Sequence, residues 1–360
     1  MSTDDLTNVR HQIDNVDEKI VKLLKERASL AVQTAKLKQE KNPNAAIYRP
    51  ERESQILRHI METNTSQLPD QALAQIFRDI MSACLALQQQ LTISFLGPRG
   101  TFSQSAAVKH FGKSVLTQPV TSIDRVFREV ECGNAHYGVV PIENSIEGRV
   151  NQTLDTLMSS PLYICGEITI PIHQHLLRHP QDDKPVERIY SHQQAFSQCG
   201  QWLDQNYSKV DKVTASSTAK AAEIVVKEKG VAAIASETAA EIYDLEIITH
   251  NIEGNPNNTT RFLIIGKHAP TASGKDKTSL LITTPHEPGS LLKLIQPFSK
   301  NDVNLTLIES RPYQHQNWRY VFFIDIEGHE EDAKVKKALD ELSQMPIILT
   351  VLGSYPSAVL

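Results

Sequence analysis

The chain has 360 residues, which is long for a single hydrophobic core and suits about two or three domains. It contains 37 lysine and arginine residues against 42 aspartate and glutamate residues, and this slightly acidic balance argues against nucleic acid as the main partner. No uncharged apolar run is long enough to span a bilayer, and the acidic start at residues 1–5 is unlike a secretory signal. We therefore expect a cytoplasmic protein with neither a membrane nor a nucleic-acid partner.

Residues 5–90 have the pattern of helices throughout. A long first helix runs to about Lys41, a second opens at Pro50 and a third follows residues 68–70. A seven-residue repeat places two rows side by side on the first helix. The rows are Val9, Val16, Leu23, Leu30 and Leu37, and Leu6, Ile13, Ile20, Arg27 and Thr34. Because two short companion helices cannot cover these apolar rows, we expect an intertwined dimer.

Arg27 occupies a position in the second row where the repeat predicts an apolar side chain. On a helix that turns about 100° per residue, Arg27 and Lys38 share one face, roughly 16 Å apart, with the small side chains of Ala31, Thr34 and Ala35 between them. A buried charge needs a partner, so we expect an anion between the two cations. Either the protein supplies it and the arginine fixes the register, or a ligand supplies it.

Polar residues also occupy the inward faces of the other two helices. Glu53 lies one turn before the apolar pair at residues 56–57, and it is a possible partner of Arg27. Gln88 extends the apolar stripe of the third helix. Arg10 is rotated by about 260° from Arg27, so it lines a partner's cavity and not its own.

From residue 91 the pattern changes to short apolar runs that alternate with helical stretches, as in an α/β domain. The runs lie at residues 93–97, 137–140, 163–165, 188–190, 231–234 and 262–265. Several of the segments that follow begin with hydroxyl or amide residues, and each one alone is explained by helix capping. Together they can gather helix N-termini around an anion, which favours a dicarboxylate cleft between two lobes.

A smaller unit follows the polar linker at residues 268–275. Its pattern predicts strand 278–284, helix 289–300, strands 303–310 and 319–327, helix 331–343 and strand 347–353. This βαββαβ order is that of a ferredoxin-like α+β fold. We therefore expect domains at residues 1–90, 91–268 and 278–356.

The four cysteines contain no C-x-x-C pair and give no zinc signature. His173 and His175 alternate on an apparent strand, but no residue at ligand spacing completes a metal site, so we interpret them as packing residues. We expect neither a metal nor a cofactor.

Six residues on the three helices resemble the helical chorismate mutase domain: Arg10, Arg27, Lys38, Arg52, Glu53 and Gln88. Four later motifs resemble prephenate dehydratase followed by an ACT regulatory domain. They are Gly-Pro-Arg-Gly-Thr-Phe-Ser at 97–103, Val-Pro-Ile-Glu-Asn-Ser at 140–145, Asn-Thr-Thr-Arg-Phe at 258–262 and Glu-Ser-Arg-Pro at 309–312. Over residues 5–356 the chain is thus similar to the bifunctional chorismate mutase/prephenate dehydratases of phenylalanine biosynthesis.

The resemblance implies an all-α mutase domain in an intertwined dimer, a two-lobed dehydratase domain like the periplasmic binding proteins, and an ACT domain. It implies rearrangement of chorismate to prephenate, then decarboxylation and dehydration of prephenate to phenylpyruvate. A catalytically inactive amino-acid-sensing protein of the same architecture is the alternative. The expected partners are chorismate, prephenate, phenylalanine as an inhibiting effector, and further copies of the chain.

For the mutase, the resemblance implies that Arg27 and the partner subunit's Arg10 bind the chorismate carboxylates. Lys38 and Gln88 donate to the ether oxygen, and Glu53 accepts from the ring hydroxyl. Two positions depart from the family pattern, since Arg49 stands where aspartate is common and Cys84 where serine is common. The full expected set is Arg10, Arg27, Lys38, Arg49, Arg52, Glu53, Cys84 and Gln88.

For the dehydratase, the resemblance implicates Thr260 as the donor to the leaving hydroxyl, with Arg261 beside it. On a regular strand these two side chains face opposite sides, so both reach the substrate only if the chain is irregular there, which residues 255–258 permit. Glu143 is a second candidate acid. The expected set is Thr101, Ser103, Asn144, Ser145, Ser217, Thr218, Thr260, Arg261 and Phe262.

The ACT resemblance implies a phenylalanine site between two such modules across a dimer. A helix opens at residues 287–291, where free amide groups can take a carboxylate. Ser290 stands where alanine is usual. The expected effector residues are Gly289, Ser290, Leu291, Glu309, Ser310 and Arg311.

Overall fold

The computed structural model of the protein describes residues 3–41, 47–285, 287–312 and 319–359. Among these residues, no helix is both long enough and apolar enough to cross a membrane.

The N-terminal region folds as three helices, as predicted. They are α1 (Thr3–Lys41), α2 (Pro50–Thr63) and α3 (Asp70–Ala86). The predicted break at residues 42–44 lies outside the described residues. Leu57 of α2 packs with Ala74 and Met81 of α3 in a small buried cluster.

The apolar rows of α1 remain exposed in the single chain. Leu23, Leu30 and Leu37 are 63%, 54% and 59% exposed, although hydrocarbon side chains gain about 25 cal/mol per Å² when they are buried. A helix with this pattern has a face that its own chain leaves uncovered.

The central region divides into two lobes, each with its own sheet. The first sheet contains β1 (Thr92–Leu96), β2 (Leu116–Val120), β3 (Tyr137–Asn144), β4 (Gly148–Arg149) and β5 (Tyr163–Pro171). Its sixth strand, β11 (Thr259–Gly266), follows after the chain has formed the second lobe. Its order is β2-β1-β3-β11-β5, with β4 paired to β3, and β11 runs antiparallel to both its neighbours. The helices of this lobe are α4 (Phe102–Phe111), α5 (Ile123–Glu131) and α6 (Asn151–Leu157).

The second lobe contains a five-stranded sheet of order β10-β6-β9-β7-β8. The strands are β6 (His175–Arg178), β7 (Arg188–Ser191), β8 (Asp211–Thr214), β9 (Val231–Ala235) and β10 (Glu246–Thr249). The helices are α7 (Gln193–Gln198), α8 (Gly200–Asn206), α9 (Thr218–Val225) and α10 (Glu237–Tyr243). The chain crosses between the lobes after β5 and again before β11, and these crossings are joined by the Ile172 N–H, which donates to the Asn258 carbonyl at 2.8 Å. The expected two-lobed architecture is confirmed.

The C-terminal unit has the predicted βαββαβ order. It comprises β12 (Asp276–Pro285), α11 (Ser290–Lys300), β13 (Leu305–Pro312), β14 (Arg319–Glu327), α12 (Ala333–Ser343) and β15 (Ile348–Pro356), with sheet order β13-β14-β12-β15. One face of the sheet packs against the two helices and buries Phe322 of β14 with Phe298 of α11. The other face packs Phe323 and Leu352 into the core of the first lobe, against Leu263. The C-terminal sheet and the first lobe therefore share one hydrophobic core.

Tyr48, just ahead of α2, anchors the helical region in the first lobe. Its ring lies 5.2 Å from that of Phe111 and 5.3 Å from that of Tyr137, and its hydroxyl is 3.2 Å from His110 Nε2. Burial raises the pKa of Tyr48 well above its usual range, so the phenol stays neutral. Nothing in the helical pattern pointed to this contact, because it joins residues distant in the chain.

We expect Tyr48→Phe to lower the free energy of unfolding by about 1 kcal/mol, because it removes one buried hydrogen bond. Tyr48→Ala also empties the aromatic cluster and should cost about 3 to 5 kcal/mol. Urea unfolding followed by circular dichroism measures both. Tyr163, whose hydroxyl has no hydrogen-bond partner in the described parts of the chain, supplies the matched control, since Tyr163→Phe should change stability by less than about 0.5 kcal/mol. Equal effects of the two phenylalanine variants would contradict the anchor.

Candidate functional site

The predicted mutase residues on α1 keep the arrangement that the helical repeat requires. Arg27 and Lys38 are half-buried on the face that also contains the buried Ala35. The Lys38 ammonium lies 3.4 Å from the Ile47 carbonyl oxygen. Burial lowers the pKa of Lys38, and the positive charge of Arg49 lowers it further. The negative charge of Glu51 acts in the opposite direction and offsets only part of this decrease. Lys38 is therefore held against the segment that leads into α2.

Arg27 has no hydrogen-bond or ion-pair partner among the residues that the structure describes. The suggested pairing with Glu53 is absent, because Glu53 Oε1 accepts a hydrogen bond from Arg78 Nε at 3.2 Å. The guanidinium of Arg27 remains available to an anion from outside the chain.

The structure corrects the placement of Glu53. Its carboxylate lines a small cavity with His110 and Glu167 of the first lobe, and Arg78 beside it also donates to the Lys109 carbonyl at 3.1 Å. Burial raises the pKa of Glu53 and Arg78 opposes that rise. A buried arginine on α3 needs a counter-charge, and Glu53 is that charge. Glu53 thus faces the first lobe and pairs with Arg78, and not with Arg27 as the helical pattern suggested.

The remaining residues of the predicted mutase set differ in their burial and partners. Arg49 pairs with Glu51, the carboxylate whose charge acts on Lys38. Cys84 is buried with a free thiol, Gln88 is half-buried, and Arg10 and Arg52 are exposed. One chain alone does not bring Arg10 to this face, as its angular position on α1 predicted.

The cleft between the two lobes has a volume of about 440 Å³. The predicted residues that line it are Thr101, Ser103, Asn144, Ser217, Thr218, Thr260 and Phe262. They come from both lobes, although they are up to 159 positions apart in the chain (260 minus 101). The cleft is therefore an interlobe site of the kind that the hydroxyl and amide residues at strand ends predicted.

Two helix N-termini face this cleft. The Ser217 hydroxyl oxygen accepts from the Lys220 N–H at 3.0 Å and caps α9. At α4, Thr101 Oγ1 lies 3.0 Å from the Leu96 carbonyl and its side chain makes no cap, so the N–H groups of Phe102 and Ser103 have no protein acceptor among the described residues and are free for a ligand. No lysine or arginine lines the cleft within the described part of the chain. An anion here is bound by helix amides and neutral side chains.

Thr260 lies on β11 directly opposite Asn144 of β3. It is 8% exposed, and its Oγ1 lies 2.9 Å from Asn144 Nδ2. Phe262 lines the same cleft, whereas Arg261 does not. The strand therefore presents alternate residues to the site.

The structure places Arg261 on the opposite face of the sheet. Its guanidinium contacts Glu167 Oε2 at 2.8 Å, Asp325 Oδ2 at 2.7 Å and the Tyr355 hydroxyl at 3.1 Å. The expected irregularity exists, but it lies in β3, where Ile142 has no partner between Glu143 and Pro141, so β11 itself still alternates. The predicted contact of Arg261 with substrate is wrong.

The structure also places Ser145 and Glu143, the two neighbours of Asn144, outside the cleft. Ser145 Oγ accepts from the Thr259 N–H at 2.9 Å and does not line the cleft. The Glu143 carboxylate pairs with Arg149 at 2.5 Å, away from the cleft, so Glu143 is not placed to act as an acid.

Several polar residues of the cleft are absent from the predicted set: Gln174, His192, Gln194, Gln198 and Ser216. They belong to the crossing segment and to the second lobe. His192 and Ser216 each follow a strand, and this position at a strand end was the sequence pattern that could have identified them as cleft residues. Gln174 gave no such signal, yet it is 3% exposed and its Oε1 has no partner within the described residues.

The predicted effector residues lie at two places on the C-terminal sheet. Gly289, Ser290 and Leu291 begin α11, and Gly289 has the left-handed φ of 82° that favours glycine. The other three, Glu309, Ser310 and Arg311, lie on β13. Glu309 reaches Arg149 at 3.8 Å and Arg311 reaches Asp155 at 2.7 Å. Two predicted effector residues therefore contact the first lobe.

The fold and the cleft define a class, that of prephenate dehydratase-like domains carrying a regulatory module. Family models match in series: chorismate mutase type II at residues 9–89, prephenate dehydratase at 93–270 and the ACT domain at 278–344. The bifunctional chorismate mutase/prephenate dehydratase of Stutzerimonas stutzeri is 47% identical over 362 residues, covering 99% of both chains. The chain belongs to the bifunctional chorismate mutase/prephenate dehydratase family.

Two solved structures each match 74% of the chain. The prephenate dehydratase from Arthrobacter aurescens in complex with L-Phe has a TM-score of 0.66 and 33% identity, covering 74% of this chain and 90% of that chain. GqqA, described as a novel type of quorum quenching acylase, has a TM-score of 0.67 and 31% identity, covering 74% and 98% respectively.

Proposed function

We propose that the chain rearranges chorismate on the helical domain and converts prephenate to phenylpyruvate in the interlobe cleft, under control by phenylalanine at the ACT unit. Membership of a family of bifunctional enzymes favours this over an inactive sensing protein. The observation that carries the dehydratase assignment is the Thr260 hydroxyl, which faces a cleft bounded by two helix N-termini.

The dehydratase reaction needs a proton donor at one oxygen. As the ring carboxylate leaves as carbon dioxide, its electron pair enters the ring, the ring becomes aromatic, and the hydroxyl departs from the opposite carbon. Hydroxide is a poor leaving group at neutral pH, so a donor at that oxygen lowers the barrier. Thr260 supplies this donor, while the first-turn amides of α4 and α9 hold the carboxylates.

The mutase reaction needs positioning and charge stabilisation, without acid or base. Arg27 takes one carboxylate of chorismate, and Lys38 and Gln88 donate to the ether oxygen as charge develops there. The partner subunit's Arg10 takes the other carboxylate. The exposed apolar rows of α1 support this second copy, since pairing two such helices buries both.

Control by phenylalanine follows a path of charges from β13 to the cleft. Arg149 lies between Glu309 of the ACT unit, at 3.8 Å, and Glu143 of the first lobe, at 2.5 Å. Glu143 precedes Asn144, whose amide holds the Thr260 hydroxyl at 2.9 Å. A ligand that displaces Glu309 thus alters the support of the strand that holds Asn144.

Thr260→Val should lower the dehydratase kcat by at least about 100-fold, because it removes the donor and keeps the shape of the side chain. Chorismate consumption should be unchanged, so prephenate accumulates. Thr260→Ser, which keeps a hydroxyl, is the matched control and should retain most activity. Phenylpyruvate and prephenate are measured separately from one chorismate reaction. Wild-type phenylpyruvate formation by Thr260→Val would refute the assignment.

Arg10→Ala and Arg27→Ala should each abolish mutase activity, and mixing the two should restore about a quarter of it. Half of the dimers are then mixed, and each mixed dimer regains one of its two sites. The control pairs Arg27→Ala with Lys38→Ala, whose lost groups belong to the same half of the site, so this mixture should stay inactive. Subunit exchange is verified with two affinity tags. Failure of the first mixture despite exchange excludes a shared site.

Arg149→Gln should leave uninhibited dehydratase activity within a few-fold of wild type but weaken inhibition by phenylalanine, within the roughly 5- to 150-fold range of allosteric couplings. Calorimetry should still detect phenylalanine binding. Arg125→Gln, which removes an exposed guanidinium paired with the buried Glu129 on α5, is the control and should be inhibited normally. Full inhibition of Arg149→Gln would show that the signal takes another route.

A further inference from the structure

The side-chain amide of Asn144 has only one possible orientation. Its Oδ1 accepts the backbone N–H groups of Ile146 and Glu147, each at 3.0 Å. Turning the amide over would place its NH₂ group against these two donors and lose both bonds. Nδ2 therefore points at β11, where Thr260 Oγ1 lies 2.9 Å away.

This orientation decides how the Thr260 hydroxyl is used. Because Asn144 can only donate across this contact, Thr260 Oγ1 receives that hydrogen bond on a lone pair, and its own hydrogen must point elsewhere. In the ranges that the structure describes, no protein acceptor takes that hydrogen. The remaining direction is the cleft, which Thr260 lines.

We propose that Asn144 is a positioning residue for the dehydratase reaction: it aims the Thr260 hydrogen at the leaving oxygen of the substrate. A free threonine hydroxyl rotates among several directions, and only one of them serves a departing hydroxide. This inference rests on the role of Thr260 in the proposed function. It gives Asn144 a task different from the direct substrate binding first expected of it.

The surroundings hold the amide in place. Nδ2 also contacts Asn258 Oδ1 at 2.9 Å and the Thr259 carbonyl at 3.3 Å. Ser145 joins the two strands beside it, since its N–H donates to the Thr259 carbonyl and its Oγ accepts from the Thr259 N–H, both at 2.9 Å. Asn258 is 1% exposed, so this frame excludes water on the side away from the cleft.

Asn144→Asp tests the inference, because it keeps the two backbone hydrogen bonds and replaces only the donor. The carboxylate accepts the Thr260 hydrogen and turns it away from the cleft, so the dehydratase kcat should fall on the order of 100-fold at pH 8, with KM for prephenate within about threefold. As the pH falls, protonation restores a donor and kcat of this variant should rise, whereas wild type should not show that rise. Mutase activity should stay near wild type.

The charged and titratable groups around this position are the Glu143–Arg149 pair, the exposed Glu147, His192 in the lining of the same cleft, and Arg261 on the far face of β11. They are identical in wild type and variant, so a new titration belongs to the introduced carboxyl group.

Asn144→Ala separates aiming from a structural role. It loses the backbone bonds as well, yet it leaves the Thr260 hydroxyl free to turn toward the substrate, so at pH 8 it should be more active than Asn144→Asp. The opposite order, with a flat pH profile for Asn144→Asp, would overturn the inference. If Thr260→Val is inactive while Asn144→Asp is fully active, the positioning role of Asn144 is rejected and the role of Thr260 stands. An active Thr260→Val would reject the proposed function itself.

Discussion

Neighbouring side chains on a strand point to opposite faces, and this constraint on β11 connects the reaction to its control. Thr260 faces the cleft, while Arg261 faces the regulatory sheet. The two residues share one peptide unit, so a change in the environment of one alters the support of the other. Asn144 and Glu143 repeat the division on the paired strand, with an amide in the site and a carboxylate toward the regulatory unit. The cleft and the ACT interface are two faces of the same pair of strands.

The interface behind β11 is held by alternating buried charges. Lys277 pairs with Glu167 at 2.7 Å, Glu167 with Arg261 at 2.8 Å, and Arg261 with Asp325 at 2.7 Å. Glu167 and Arg261 belong to the dehydratase lobe and Lys277 and Asp325 to the ACT unit, so two of the three ion pairs cross the interface. Burial raises the pKa of Tyr355 well above its usual range, with Asp325 adding to the rise, and it remains a neutral phenol within this cluster. Because separating the domains would break both ion pairs that cross the interface, these charges help to hold the ACT unit on the dehydratase lobe.

Most of the architecture could be predicted from periodic patterns. The long heptad helix, the alternating elements of the central region and the βαββαβ order all appear in the structure, and most of the predicted dehydratase residues line the cleft. Arg261 was misplaced because the irregularity near it lies in β3, and no pattern in β11 reveals a bulge in its partner. Glu53 was misplaced because its partner Arg78 is on another helix, within an apolar stripe that showed no sign of a charge.

The sequence by itself determined where helices and strands form, which helix face is left apolar and which residue types gather at strand ends, because these depend on neighbours a few positions apart. It also determined that Arg10 and Arg27 cannot serve one cavity from one straight helix. Only the tertiary structure decided which partner each charge takes. That choice depends on contacts between distant segments. Tyr48 packs the start of α2 against the first lobe, Arg78 pairs with Glu53, and Asp325 pairs with Arg261. The energy of a buried ion pair arises only when the fold brings its two members together.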